Sequence, residues 1–207
     1  MNKKIIVIGI VALLVIVMVA VLFIYRSHID EEIVPSEEEE TVETEEAWVG
    51  VAEDTIFDGG DFEVLLPQGW RGYEDLGDIF SAALITGTEE EMSEQIVWTE
   101  LTVQRYARDG QSLDEYIDEI MVFLEEQKEL MGEESITIRK DEERTLLDLP
   151  ARYIELEVNW GEYQSVTATI FVEIEDNIWN VGINLPTADW AGGEALFERV
   201  VDSFRVK

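Results

Sequence analysis

Three regimes of hydrophobic and polar positions follow one another along this chain. From Ile5 to Tyr25 it reads IIVIGIVALLVIVMVAVLFIY, with no charge, amide or proline and no hydroxyl before the closing tyrosine. As a helix that run spans about 32 Å, enough for the hydrocarbon core of a bilayer. From Ser27 to Ala47 the pattern inverts: acids dominate and apolar positions are too sparse for a buried face. Such a stretch is expected to stay an extended coil reaching about 25–30 Å, and more when its charges repel. Beyond it, alternating and helical periodicities take over. The expected organisation is a cytoplasmic 1–4, a transmembrane signal-anchor over 5–25, an acidic disordered linker over 26–52, and one globular domain over 53–207.

Within the domain, Thr55-Ile-Phe57 leads to the turn Asp58-Gly-Gly-Asp61. Phe62, Val64 and Leu66 then alternate on one strand face until Pro67-Gln-Gly69-Trp70 breaks the run. Ile79–Ile85 and Ile96–Tyr106 read as strands, the second β-branched and aromatic. Ser112 and Glu115 form a capping box that opens a helix with Leu113, Tyr116, Ile117, Ile120, Met121 and Leu124 on one stripe, stopped by Gly132. Four strands follow: Ile136 to Arg139 or as far as Leu147, Ala151–Trp160, Ser165–Glu175 and Ile178–Leu185. Turns are expected at Asp148-Leu-Pro150, at Gly161 and at Asp176-Asn177, making an antiparallel meander. Pro186 ends the last strand, and Glu194–Phe204 closes the chain as a helix. The fold class is therefore α+β, a mostly antiparallel sheet covered by helices.

Charge changes the picture. Lys+Arg number 14 against 47 Asp+Glu, a net charge of −33. Such a field disfavours nucleic acid and anionic lipid and favours cationic partners or solubility in high salt. With lysine confined to Lys3, Lys4, Lys128, Lys140 and Lys207, a halophilic source is a natural expectation. Lys3 and Lys4 place the N-terminus in the cytoplasm and the domain outside. The apolar run is longer than a signal peptide's and ends Phe23-Ile-Tyr25-Arg26 with no small-residue cleavage pair, so the anchor is expected to stay. No cysteine is present, which removes disulfides, thiol catalysis and lipid attachment through cysteine.

The order of elements resembles the PsbP-like family. Its carriers are Phe62-Glu-Val-Leu-Leu-Pro67-Gln-Gly69-Trp70, the capped helix at Ser112-Leu-Asp-Glu115-Tyr, the step Leu149-Pro150-Ala151, and the ending Ser203-Phe204-Arg205. The likeness covers Thr55 to Lys207. Asp148 departs from it, standing where relatives often have glycine. The resemblance implies an α/β/α sandwich used as a binding module, in a family that includes an extrinsic photosystem II protein, bacterial surface lipoproteins and a nuclear relative that binds a small GTPase. It supplies no catalytic motif to carry over.

Chemistry is hard to find in the residues themselves. His28 is the lone histidine and lies before the linker, which excludes histidine-based triads and metal sites from the domain. No catalytic, cofactor or metal residue is assigned, and no cofactor is expected. Asp58–Asp61 and the acidic tip Glu89–Glu94 could offer oxygen ligands to calcium, but neither has the spacing that wraps one ion. Trp70 and Trp190 read as packing anchors and Trp98, Trp160 and Trp179 as buried strand residues, with Trp48 at the linker edge. The expected function is a non-enzymatic, membrane-anchored extracytoplasmic module for another envelope protein or a cationic ligand. The competing readings are a carboxylate-based hydrolase acting on glycosides or esters, and a divalent-cation-binding surface protein.

Overall fold

The computed structural model describes residues 49–75, 79–86, 99–132, 134–160 and 163–207. The expected anchor over 5–25, most of the acidic linker, the Glu89–Glu94 tip and the first residues of the Ile96–Tyr106 run lie outside them. No helix among the described residues is long and apolar enough to cross a membrane.

Among the described residues, two sheets and two α-helices make up the domain. The smaller sheet joins β1 (Thr55–Asp58), β2 (Phe62–Leu66) and β10 (Arg205–Val206) in the order β1-β2-β10. The larger comprises β3 (Trp70–Asp75), β4 (Ile79–Leu84), β5 (Glu100–Ala107), β6 (Ile136–Leu146), β7 (Leu149–Trp160), β8 (Tyr163–Ile174) and β9 (Asn177–Pro186). Its order is β3-β4-β5-β9-β8-β7-β6, every neighbour antiparallel. The expected meander is thus β6 to β9. Helix α1 (Leu113–Met131) joins β5 to the far edge strand β6, so it must cross one face of the sheet. Helix α2 (Trp190–Ser203) lies on the other face with the small sheet.

The alternation along each strand decides which residues meet which helix. Val166, Ala168, Ile170 and Val172 of β8, and Trp179, Val181, Ile183 and Leu185 of β9, face α2. There they join Phe62, Val64, Leu66, Phe197, Val200 and Phe204 in the large core. The opposite parity puts Ile154, Phe171 and Ile178 under Tyr116 and Ile117 of α1.

The capping box is present: the Ser112 and Glu115 side chains each accept from the other residue's backbone N–H. Several expectations need correction. Trp70, read as the last residue of the break that begins at Pro67, instead opens the strand Trp70–Asp75, whose register slips between Gly72 and Glu74. Helix α2 begins at Trp190 rather than Glu194. The hairpin turn before β7 is Leu147-Asp148, with Leu149 and Pro150 already paired in the ladder. Both turn residues have positive φ, 54° and 62°, the geometry of a two-residue hairpin that favours glycine or asparagine. That is what the Asp148 departure does: aspartate tolerates the left-handed region and the turn survives. The turn before β9 is Glu175-Asp176, one residue earlier than expected, with Glu175 at φ 55°.

Candidate functional site

Two features stand out from ordinary packing, one on each face of the large sheet. The first is Glu155, fully buried in the middle of β7. It shares its inward parity with Ala151 and Tyr153. On the neighbouring edge strand a bulge inserts Arg139 between Ile138, opposite Leu156, and Lys140, opposite Glu155. The extra residue lets two successive cations reach one carboxylate. Arg139 Nε lies 3.2 Å from Oε1, and Lys140 Nζ lies 3.1 Å from Oε2. The Tyr153 hydroxyl donates to Oε2 at 2.7 Å. Burial, and then this bond, push the Tyr153 phenol up from its ordinary range.

The network continues onto α2. Lys140 also donates to Glu194 at 2.7 Å, and Arg144 donates to Glu198 at 2.7 Å while its guanidinium stacks 3.7 Å over the Tyr153 ring. The Lys140 bond holds the Glu194 carboxyl below its usual range. A carboxylate hydrolase needs a pair of acids with one held protonated. Here the buried acid is matched by two cations and its neighbour is pushed toward ionisation, the chemistry of a structural ion network. Glu155 was hidden among 47 acids. The signal that could have found it is its parity, a glutamate at an inward position between Tyr153 and the β7 core residues.

The second feature is a polar tract on the α1 side of the central strands. Thr102, Gly182 and Thr169 align across β5, β9 and β8. Gln104 and Asn180 stand in the row on one side, and Glu100, Asn184 and Thr167 in the row on the other. Gly182 is required here, since a Cβ would sit 2.9 Å from Thr169 Oγ1 and 3.2 Å from Thr102 Oγ1. Thr167 donates to Asn184 at 2.9 Å, while Asn180 donates to Gln104 at 3.1 Å. Tyr106 also donates to Gln104, and burial pushes its phenol up to about 12. None of the tract belongs to the cluster beneath α1, and apart from Glu100 its side chains are neutral. Sequence reading placed these residues in strands but did not single them out, because threonine and asparagine at alternate positions look like any solvated strand face.

Of the acids considered for calcium, the Glu89–Glu94 tip lies outside the described residues, and Asp58 and Asp61 have other partners. Asp58 accepts from Gly60 N–H and from Lys207, whose bond lowers its carboxyl, and Asp61 is paired with Arg105. No group of three or more ligating side chains is present among the described residues. Trp70, Trp179 and Trp190 are buried, as packing anchors should be. Trp48 and Trp98 fall outside the described residues.

No protein-family model matches this chain, and no curated relative does. Among solved structures it is similar to cyanobacterial PsbP (CyanoP) from Synechocystis sp. PCC 6803, with a TM-score of 0.55 and 15% identity over 84% of this chain and 100% of that one. It is also similar to LpqN of Mycobacterium tuberculosis, a protein involved in cell envelope biogenesis, with a TM-score of 0.50 and 9% identity over 75% of this chain and 91% of that one. At such identities the likeness speaks to architecture alone, and the architecture agrees with the element order, the antiparallel sheet and the two helices. The domain of this chain has the PsbP-like fold.

Proposed function

We propose that this chain is a non-enzymatic binding module, held by residues 5–25 in a cell membrane with its N-terminus in the cytoplasm and its domain outside. The observation that carries the binding reading is the polar tract around Gly182. It lies on the three central strands and, apart from Glu100, carries hydroxyls and amides rather than charge. Rigid strands hold such groups in fixed positions, which lowers the ordering cost of recognition. The partner class that suits it is another protein of the envelope, meeting the tract through neutral hydrogen bonds. The cationic-ligand alternative is less well supported, because acidic groups considered for it already hold Lys207 and Arg105. The cell-envelope role of LpqN is in keeping with this reading.

The test is affinity capture from source-cell membranes with the full chain in neutral detergent, beside a T102K/T169K variant of unchanged thermal midpoint. Specific capture by the parent that the variant loses is the expected result. Equal capture by both, or turnover on a glycoside and ester panel without capture, overturns the proposal. Protease shaving of intact cells tests the orientation: the domain should be removed while the first few residues stay protected.

A further inference from the structure

Hydrogen bonding is left unspent in one row of the polar tract around Gly182. Ser81 of β4 pairs with Thr102 of β5, Thr102 with Gly182 of β9, and Gly182 with Thr169 of β8. Residues directly opposite in an antiparallel ladder share a face, so the row sets three hydroxyls on the α1 side. Beyond Thr169 it reaches Ile154, where the buried cluster beneath α1 begins. The flanking rows are bonded: Thr167 donates to Asn184 on one side, and Asn180 and Tyr106 donate to Gln104 on the other. The hydroxyls of Ser81, Thr102 and Thr169 have no hydrogen-bond partner among the described residues.

Two facts set that row apart from a solvated strand face. Ser81 is only 5% exposed, and a hydroxyl so enclosed ordinarily finds a partner. Gly182, itself buried, leaves a gap in the row. Thr102 Oγ1 and Thr169 Oγ1 stand 3.2 and 2.9 Å from the place a Cβ would take there. Cβ atoms of directly opposed strand residues lie about 4.5–5.5 Å apart, so both oxygens lean toward the gap rather than away from it. One small group entering above Gly182 meets a hydroxyl on either side.

We infer that this gap receives the carboxamide of an asparagine or glutamine side chain of the partner protein, an inference that rests on the binding reading above. A hydroxyl both donates and accepts. A carboxamide brings two N–H donors and one carbonyl, a set that three hydroxyls can meet. The carbonyl accepts from one threonine while the N–H groups donate to the remaining hydroxyls. A cation finds no carboxylate in the row, and Glu100 in the next row is already engaged. A carboxylate would enter against a net charge of −33. A sugar ring finds no aromatic face in the row to stack on. An apolar side chain would leave the hydroxyls unmatched, which is how such a clamp selects.

Titrating the full chain in neutral detergent with acetamide, followed by backbone amide shifts, tests the clamp. Residues 81, 102, 169 and 182 are expected to shift saturably, with a Kd on the order of millimolar for so small a ligand, while acetate of the same shape shifts none of them. T102V/T169V keeps shape and strand preference without the hydroxyls and should weaken acetamide about tenfold. T102S/T169S should restore it, and G182A, which fills the gap, should abolish it. The spectrum outside the row reports that each variant is folded. No saturable shift, equal shifts with acetate, shifts with methyl glucoside in place of acetamide, or unchanged affinity in T102V/T169V overturns the inference. The binding reading fails separately: if T102V/T169V still captures the partner that T102K/T169K loses, recognition stays at the tract and the carboxamide clamp is overturned.

Discussion

Beneath α2 the large sheet meets a continuous apolar core, and three ion pairs and the Leu65 N–H to Ser203 Oγ bond of 2.7 Å add to the grip. Beneath α1 it meets a cluster of five buried residues, beside which the strands turn polar. The large core includes Tyr153, Phe197 and Phe204, all essentially inaccessible, with the Tyr153 and Phe197 rings 5.4 Å apart. The difference separates the face that carries the domain's stability from the face proposed for recognition. One face holds the fold together, and that frees the other to carry hydroxyls and amides.

Truncations on the two faces should separate the roles. Phe197→Ala opens a cavity in the large core and is expected to cost about 4 kcal/mol in urea denaturation, against about 2 kcal/mol for Ile117→Ala under α1. Equal losses would erase the contrast. Glu155→Gln comes next, at about 2 kcal/mol, because it strips Arg139 and Lys140 of their buried counter-charge while those two cations keep partial access to water. A Glu155→Gln protein as stable as the parent would mean that the bulge, not the charge, organises that edge.

Acid should weaken the α2 side by a smaller amount. Bonding to Lys140 lowers the Glu194 carboxyl in the folded state. Its contribution is then complete above the ordinary carboxylate value and is lost as pH falls through the folded value. Glu194→Gln should therefore lower the thermal midpoint at pH 7, and the gap to the parent should close below about pH 4. A gap that persists at pH 3 would assign the loss to packing. The smallest expected effect is a gain: Asp148→Gly should stabilise the hairpin by about 0.5 kcal/mol by relieving a positive-φ position.

Sequence reading was strongest where one residue type carries one local meaning. Ser112 with Glu115 announced a helix start, and the Phe62-Val64-Leu66 alternation announced a strand with one buried face; both are present. It failed where tertiary contact overrides local signal. Gly192 and Gly193 made the first turn of α2 look like a loop, yet a Cβ at Gly193 would collide with Leu185, so close packing of the helix start on β9 demands glycine. The strand opening at Trp70 was hidden behind the Pro67–Trp70 break and is irregular at Gly72, and β10 is two residues long. The site was less legible still. Glu155 matters through Arg139 and Lys140, whose meeting depends on a bulge that no periodicity announces.

That bulge also bears on how the molecule behaves in company. Strand β6 lies at the margin of the seven-stranded sheet, and its 11 residues are long enough to template another chain. The inserted Arg139 breaks the regular spacing of amides and carbonyls along that margin, and the run Arg139-Lys140-Asp141-Glu142-Glu143-Arg144 sets charge along it. A second strand arriving there would meet an irregular ladder and would have to desolvate those charges. The same insertion that brings two cations to Glu155 thus sets that margin against strand-to-strand self-association, so the domain can stay dispersed at high concentration.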